Sequence, residues 1–85
     1  MLDNRINKVM ILDNGKKYYV LNQAIYKKNS YLLVVGVTDD ETDIRDEMKI
    51  FKEEKVNNII NVNEVKEQDL LDILVKYLEP RLENN

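Results

Sequence analysis

The 85-residue chain has no cysteine, no histidine and no tryptophan. Without cysteine it has no disulfide staples, and without either cysteine or histidine it has no zinc site of the Cys/His kind. No imidazole is present to shuttle protons near neutral pH. Ser30 is the only serine, and neither histidine nor cysteine can activate or replace it, so nucleophilic catalysis of the usual kind lacks its parts. No spacing of lysines or carboxylates argues for catalysis by those groups. The two glycines, Gly15 and Gly36, are twenty-one positions apart, which rules out a P-loop and a dinucleotide fingerprint. No apolar run approaches the ~18 residues of a membrane span, and no charged n-region precedes an apolar h-region. The expectation is a bacterial-type cytoplasmic protein that is not an enzyme and carries no cofactor and no metal.

What is present is charge and aliphatic bulk. Charged residues make up 34% of the chain and the net charge is −3. That charge is unevenly spread: residues 1–38 sum to +4 and residues 39–85 to −7. Such asymmetry prompts a search for a basic patch or an acidic surface. At this length the chain forms a single domain, 1–85, that buries little more than ~60% of its unfolded surface, so its stability margin is thin.

The pattern predicts strands from about 8 to 62 and a helix from about 64 to 79, with frayed ends. Val9 to Leu12 reads as a first strand, followed by Asp13-Asn14-Gly15-Lys16. Asn-Gly is a strong hairpin signal because both residues tolerate positive φ. Lys17 to Tyr26 is a second strand, Lys27 to Ser30 a turn, and Tyr31 to Val37 a third strand. Met48 to Glu53 and Asn58 to Val62 follow as a fourth and a fifth. Leu70, Leu74, Tyr77 and Leu78 fall at helical spacing, with Ile73 beside them, and Pro80 disfavours helix at Glu79. A second reading of the middle stands beside this one. Thr38-Asp39-Asp40-Glu41 matches a capping box, and Ile44, Met48 and Phe51 follow at i, i+4, i+7, as a helix over 39–53 would have them. The fold class expected is α+β: an antiparallel β-meander of four to five strands with a C-terminal amphipathic helix packed on one face.

The turns imply a register. A two-residue loop at Asn14-Gly15 pairs Ile11 with Tyr18 and Val9 with Val20. A loop at Lys28-Asn29 pairs Tyr26 with Tyr31, Ala24 with Leu33 and Val20 with Val37. Paired residues share a face. One face then carries Val9, Ile11, Tyr18, Val20, Ala24 and Tyr26, with Tyr31, Leu33, Val35 and Val37 from the third strand, and Asn22 is its only polar member. The helix is expected to cover it. The other face carries Met10, Leu12, Tyr19, Leu21, Ile25, Leu32 and Val34, with Lys8, Lys17 and Gln23 mixed in, and is too apolar to be fully solvated. Three outcomes follow for it: a homodimer, a docking site for another protein, or a sheet that curls shut. The candidate interaction surface is Met10, Tyr19, Leu21, Ile25, Leu32 and Val34.

Six acidic residues crowd into Asp39 to Glu47. Read as an EF-hand loop from Asp39, the segment has Ile44 where the turn glycine belongs and Ile50 where the bidentate Glu belongs. It reads as a solvated, mutually repelling loop that discourages strand edges from pairing. A decoy of nucleic acid would need an unbroken negative row, and Arg45, Lys49, Lys52, Lys55 and Lys66 interrupt it. Binding to nucleic acid is equally disfavoured: Lys16-Lys17 and Lys27-Lys28 lie at opposite ends of one strand, ~30 Å apart.

The run KVMILDNGKKYYVLNQAIYKKNSYLLVVGVTDDETDIRDEMKIF, then a strand, then EQDLLDILVKYLE, resembles the small YrzB-like bacterial proteins, domain-of-unknown-function family 1292. The counterparts here are the Asp13-Asn14-Gly15 turn, Tyr18 to Tyr26, Tyr31 to Val37, the acidic Asp39 to Glu47, Met48 to Phe51 and the helix Asp69 to Glu79. Asn61-Val62-Asn63 stands where the family often has a proline, and the chain is richer in lysine than the typical member. The resemblance implies the same meander-plus-helix fold and no established activity, so it carries no functional residue. Two functions are expected from different classes. One is a non-enzymatic protein-interaction module working through the second sheet face. The other is a phage or mobile-element accessory protein that inhibits a host nucleic-acid enzyme through its acidic half.

Overall fold

The computed structural model describes residues 5–78. Five strands run in chain order: β1 Val9–Ile11, β2 Lys17–Tyr26, β3 Asn29–Val37, β4 Ile44–Val56 and β5 Ile59–Glu64, followed by helix α1 Gln68–Leu78. They form one antiparallel sheet in the order β1-β2-β3-β4-β5. The sheet is a curled meander with α1 packed on one face, so the α+β expectation holds. The middle segment is strand, and the capping-box reading fails. Thr38 caps no helix; its amide donates to the Asp43 carbonyl at 3.0 Å, closing a loop between β3 and β4. The fourth strand is longer than the pattern predicted, thirteen residues in all. The helix expected to reach Glu79, and the stop at Pro80, lie outside the described residues.

The register differs from expectation at both hairpins, and turn chemistry gives the reason. The first loop has three residues, Asp13-Asn14-Gly15. The Leu12 amide donates to the Lys16 carbonyl at 2.9 Å, and Gly15 takes φ +86°. A turn closed by a left-handed glycine bulge is the next commonest hairpin after the two-residue form. It pairs Met10 with Tyr18 and Ile11 with Lys17, one step from the expected register. The second loop is Lys27-Lys28, with both lysines at positive φ, so Tyr26 pairs with Asn29 and Ala24 with Tyr31. A bulge at Leu21 then shifts the ladder, and Val20 meets Val34.

A one-residue slip exchanges faces. Tyr18 and Val20, expected under the helix, lie on the opposite face with Leu32, Val34 and Phe51. Tyr19 moves the other way, pairing with Val35. Within β3 the assignment holds: Tyr31 and Leu33 meet the helix while Leu32 and Val34 face away from it.

Two apolar cores result, one on each face of β3. On the helix side Leu74 and Leu78 are fully buried against Tyr31, Leu33 and Ile50, with Leu70 and Leu71 beside them. Tyr77 and Ile73, expected on the inner stripe, are exposed, although Tyr77 keeps an edge-to-face contact with Tyr26 at 5.2 Å. Asp69 in the first turn and Lys76 in the last favour the helix dipole. Asn22, the polar residue on this apolar face, ties the sheet to the end of the helix. Its Nδ2 donates to the Leu78 carbonyl at 2.9 Å, satisfying a helix-end acceptor.

Candidate functional site

Among the described residues, no helix covers the second core. Tyr18, Val20, Leu32, Val34 and Phe51 are nonetheless buried, because the sheet curls and brings Met10 of the first strand, the adjoining Leu12 and Val62 of the last strand against them. The curl, one of the three outcomes expected for this face, is present. The six residues of the candidate surface therefore do not form a single exposed patch. Leu32 and Val34 are 0% exposed and lie out of a partner's reach. Tyr19 shares the helix-side face with Val35. Leu21 sits at the bulge and packs with the helix-side core. Ile25 is exposed. Of the six, Met10 alone borders the opening that remains.

That opening is a cleft of about 750 Å³ between the two edge strands. β1 lines one wall through Met10 and Ile11, with the adjoining Leu12, and β5 the other through Ile59 to Val62. Among the described residues, Arg5 and Asp13 are the only charged ones lining it. Met10, Leu12 and Val62 of its lining pack against the second apolar core. Its lining is mixed: Met10, Ile11, Leu12, Ile59, Ile60 and Val62 are apolar, and Arg5, Asp13, Asn14 and Asn61 are polar.

Charged networks close the curled face at both ends. At one end Arg45 folds back over Gly36 and Tyr18, its Cζ 5.1 Å from the Tyr18 ring centre. Its Nε donates to the Val37 carbonyl and its Nη2 to the Lys17 carbonyl, both at 3.1 Å, and Nη1 meets Glu47. Tyr18 Oη donates to Glu47 at 3.1 Å, and Lys49 bridges Glu47 and Glu64. The Lys49 ammonium, then the Tyr18 hydroxyl and Arg45, hold the Glu47 carboxyl below its ordinary range, against the opposing effect of burial. Lys49 is raised in turn by Glu47 and Glu64. At the other end Arg5 pairs with Glu53, which accepts from the buried Ser30 hydroxyl at 3.2 Å, and Gln23 donates to Ser30 at 3.1 Å. Each charged group in these two networks has a partner within the fold, so the networks read as plugs of the curled sheet. One pattern in the sequence could have found the first of them, the alternation Arg45, Glu47, Lys49 on a strand. It was hidden because Arg45 and Glu47 fall in the segment Asp39 to Glu47 that reads as a loop, whereas the strand begins at Ile44.

The acidic loop is ordered by its own contacts. Lys17 Nζ donates to the Asp39 carbonyl at 2.6 Å and meets Glu41 at 3.1 Å. Asp40 accepts from Thr38 and from Thr42, each at 2.7 Å, and these hydroxyls lower its pKa. Among the described residues no group of three or more acidic side chains is placed to hold a metal ion. Among the same residues no helix is long and apolar enough to cross a membrane. No family model, no curated protein and no solved structure matches the chain.

Proposed function

We propose that this chain is a small, non-enzymatic protein-interaction module of the cytoplasm, which meets its partner through the remaining opening of its second sheet face. One observation carries the reading. The cleft between β1 and β5 is walled by two strands that, among the described residues, each lack a neighbour on that side, and Met10, Leu12, Ile60 and Val62 are among the residues that line it. Unpaired strand edges are sites of association unless they are blocked. The resemblance to the YrzB-like proteins, which have no established activity, agrees with a module rather than a catalyst. The internal pairing of the two charged networks supports the same reading, since their groups are engaged in holding the fold.

Comparative capture from the source cell tests the reading, with three baits: the wild-type chain, Ile60→Lys in the cleft, and a triple reversal of Asp39, Asp40 and Asp43 to Lys. A partner held by the wild type and the triple reversal but lost by Ile60→Lys supports the cleft. A partner that survives Ile60→Lys and is lost on charge reversal overturns it in favour of the acidic half. Native mass spectrometry of the pure chain, wild type and Ile60→Lys, tells whether the partner is a second copy.

A further inference from the structure

The direction of the strands, the alternation of their hydrogen bonds and the charges at the ends of the cleft together specify its occupant. This inference rests on the cleft reading above and deepens it. In an antiparallel meander of five strands the first and last run the same way. A single added strand would therefore run antiparallel to both edges at once.

The backbone groups needed for this point into the cleft. Along an antiparallel ladder, hydrogen-bonded and non-bonded pairs alternate. The Val65 amide donates to the Ile50 carbonyl at 2.8 Å, which fixes the bonded series on β4 and β5. Asn61 and Asn63 belong to that series and Ile60 and Val62 do not, so Ile60 and Val62 turn their N–H and C=O groups away from β4. On β1 the bonds Val20 N–H to Lys8 C=O and Leu12 N–H to Lys16 C=O set the opposite phase, and Val9 and Ile11 face outward. Side chains follow the same alternation. Met10 and Leu12 from one wall, and Ile60 and Val62 from the other, present apolar surface to an incoming strand.

We infer that the cleft binds an extended peptide segment of another protein by strand addition. The segment carries apolar residues at alternate positions, a basic residue near its start and an acidic residue near its end. The charge order follows from direction. A strand antiparallel to β1 begins beside Asp13 and ends beside Lys8, the charge of the neighbouring Arg5 being already paired with Glu53. Main-chain hydrogen bonds then supply affinity and the alternate side chains supply selectivity.

A display library of random nine-residue peptides, selected on the immobilised full chain, tests the inference. Enriched peptides should show the apolar alternation with a basic start and an acidic end. Binding should slow amide exchange at Ile60, Val62, Val9 and Ile11. Methylating alternate backbone nitrogens of a selected peptide should weaken binding at least tenfold in either phase, because one phase serves β5 and the other β1. This readout leaves the protein untouched. Ile60→Pro removes an outward N–H without taking a bond from β4 and should give a similar loss with an unchanged far-UV spectrum. Peptides that protect cleft residues but tolerate both N-methylation phases overturn strand addition and leave the cleft as a binding site. Enrichment of nothing, or of peptides protecting another surface, overturns both.

Discussion

At Gly36 a Cβ would sit 2.7 Å from Nη2 and 2.8 Å from Cζ of Arg45. A flexible side chain would ordinarily move aside, but this guanidinium is fastened to two carbonyls and a carboxylate and lies against the Tyr18 ring. Gly36→Ala should therefore destabilise the fold by about 1–3 kcal/mol, the usual cost of overpacking. In an Arg45→Ala background the same change should be neutral or stabilising by about 0.5 kcal/mol, since alanine suits a strand better than glycine. Urea midpoints for the four proteins of this cycle check it, and equal costs in both backgrounds would refute the contact. Glu47 gives the second residue-level expectation. Its carboxyl titrates lower in the fold than in the unfolded chain, where the value is about 4.3. Its contribution is thus fully present above the unfolded value and is lost as the pH falls through the lower folded one. Comparing Glu47→Gln with the wild type from about pH 6 to about pH 2, the stability gap should be constant down to about pH 5 and then shrink. A gap that stays constant into acid would mean that the lost interaction does not depend on the charge.

Among the elements, the turns decide most. Lys27-Lys28 and Asn57-Asn58 close two-residue hairpins with every residue at positive φ. Asparagine tolerates that region, whereas lysine does so at a cost of about 1 kcal/mol or more. Replacing Lys27 and Lys28 with Asn and Gly should stabilise the protein by about 1–2 kcal/mol, less a small loss from the Lys27 ammonium held 5.6 Å from the Tyr26 ring. A thermal midpoint higher by roughly 4–8 °C per kcal/mol is the expected readout. No gain would mean that these backbone angles are not strained. The same turns show where the sequence was legible. Five strands and a closing helix could be read from apolar runs and helical spacing, because those patterns survive small errors in boundaries. Faces could not, because each depends on single residues at turns and bulges. A lysine pair gives no sign that it will adopt a left-handed turn. Nothing in Val20-Leu21-Asn22 marks a bulge. Gly15 serves as a bulge residue rather than the second residue of a two-residue loop. Each ambiguity is worth one position, and one position moves Tyr18 and Val20 across the sheet. The candidate surface fared as the faces did: of its six residues only Met10 reaches the cleft, and the β5 wall was invisible while the curl of the sheet was unknown.

At the scale of the whole molecule, β3 is the shared wall of two cores. Leu32 belongs to the curled core and Leu33 to the core under the helix, though the two are adjacent in the chain. With Leu32 0% and Leu33 7% exposed, neither can lose its side chain without leaving a cavity. A glutamate at position 32, the change that would disrupt an exposed association face, should instead unfold the chain, because an unpaired charge would lie in an apolar interior. The gentler changes Leu32→Ala and Leu33→Ala should each cost about 2–5 kcal/mol. A domain of this size has only about 4–13 kcal/mol to lose. Because one strand serves both cores, damage on either face should be felt on both. The helix signal in the far ultraviolet and the native ring resonances of Tyr18 in the proton magnetic-resonance spectrum, a tyrosine signal specific to the curled core, should fall together, in one transition, for the wild type and for both variants. If Leu33→Ala released the helix at a lower denaturant concentration than the tyrosine signal, the curled sheet would be stable without its helix. The two cores would then be separate folding units that merely share a strand.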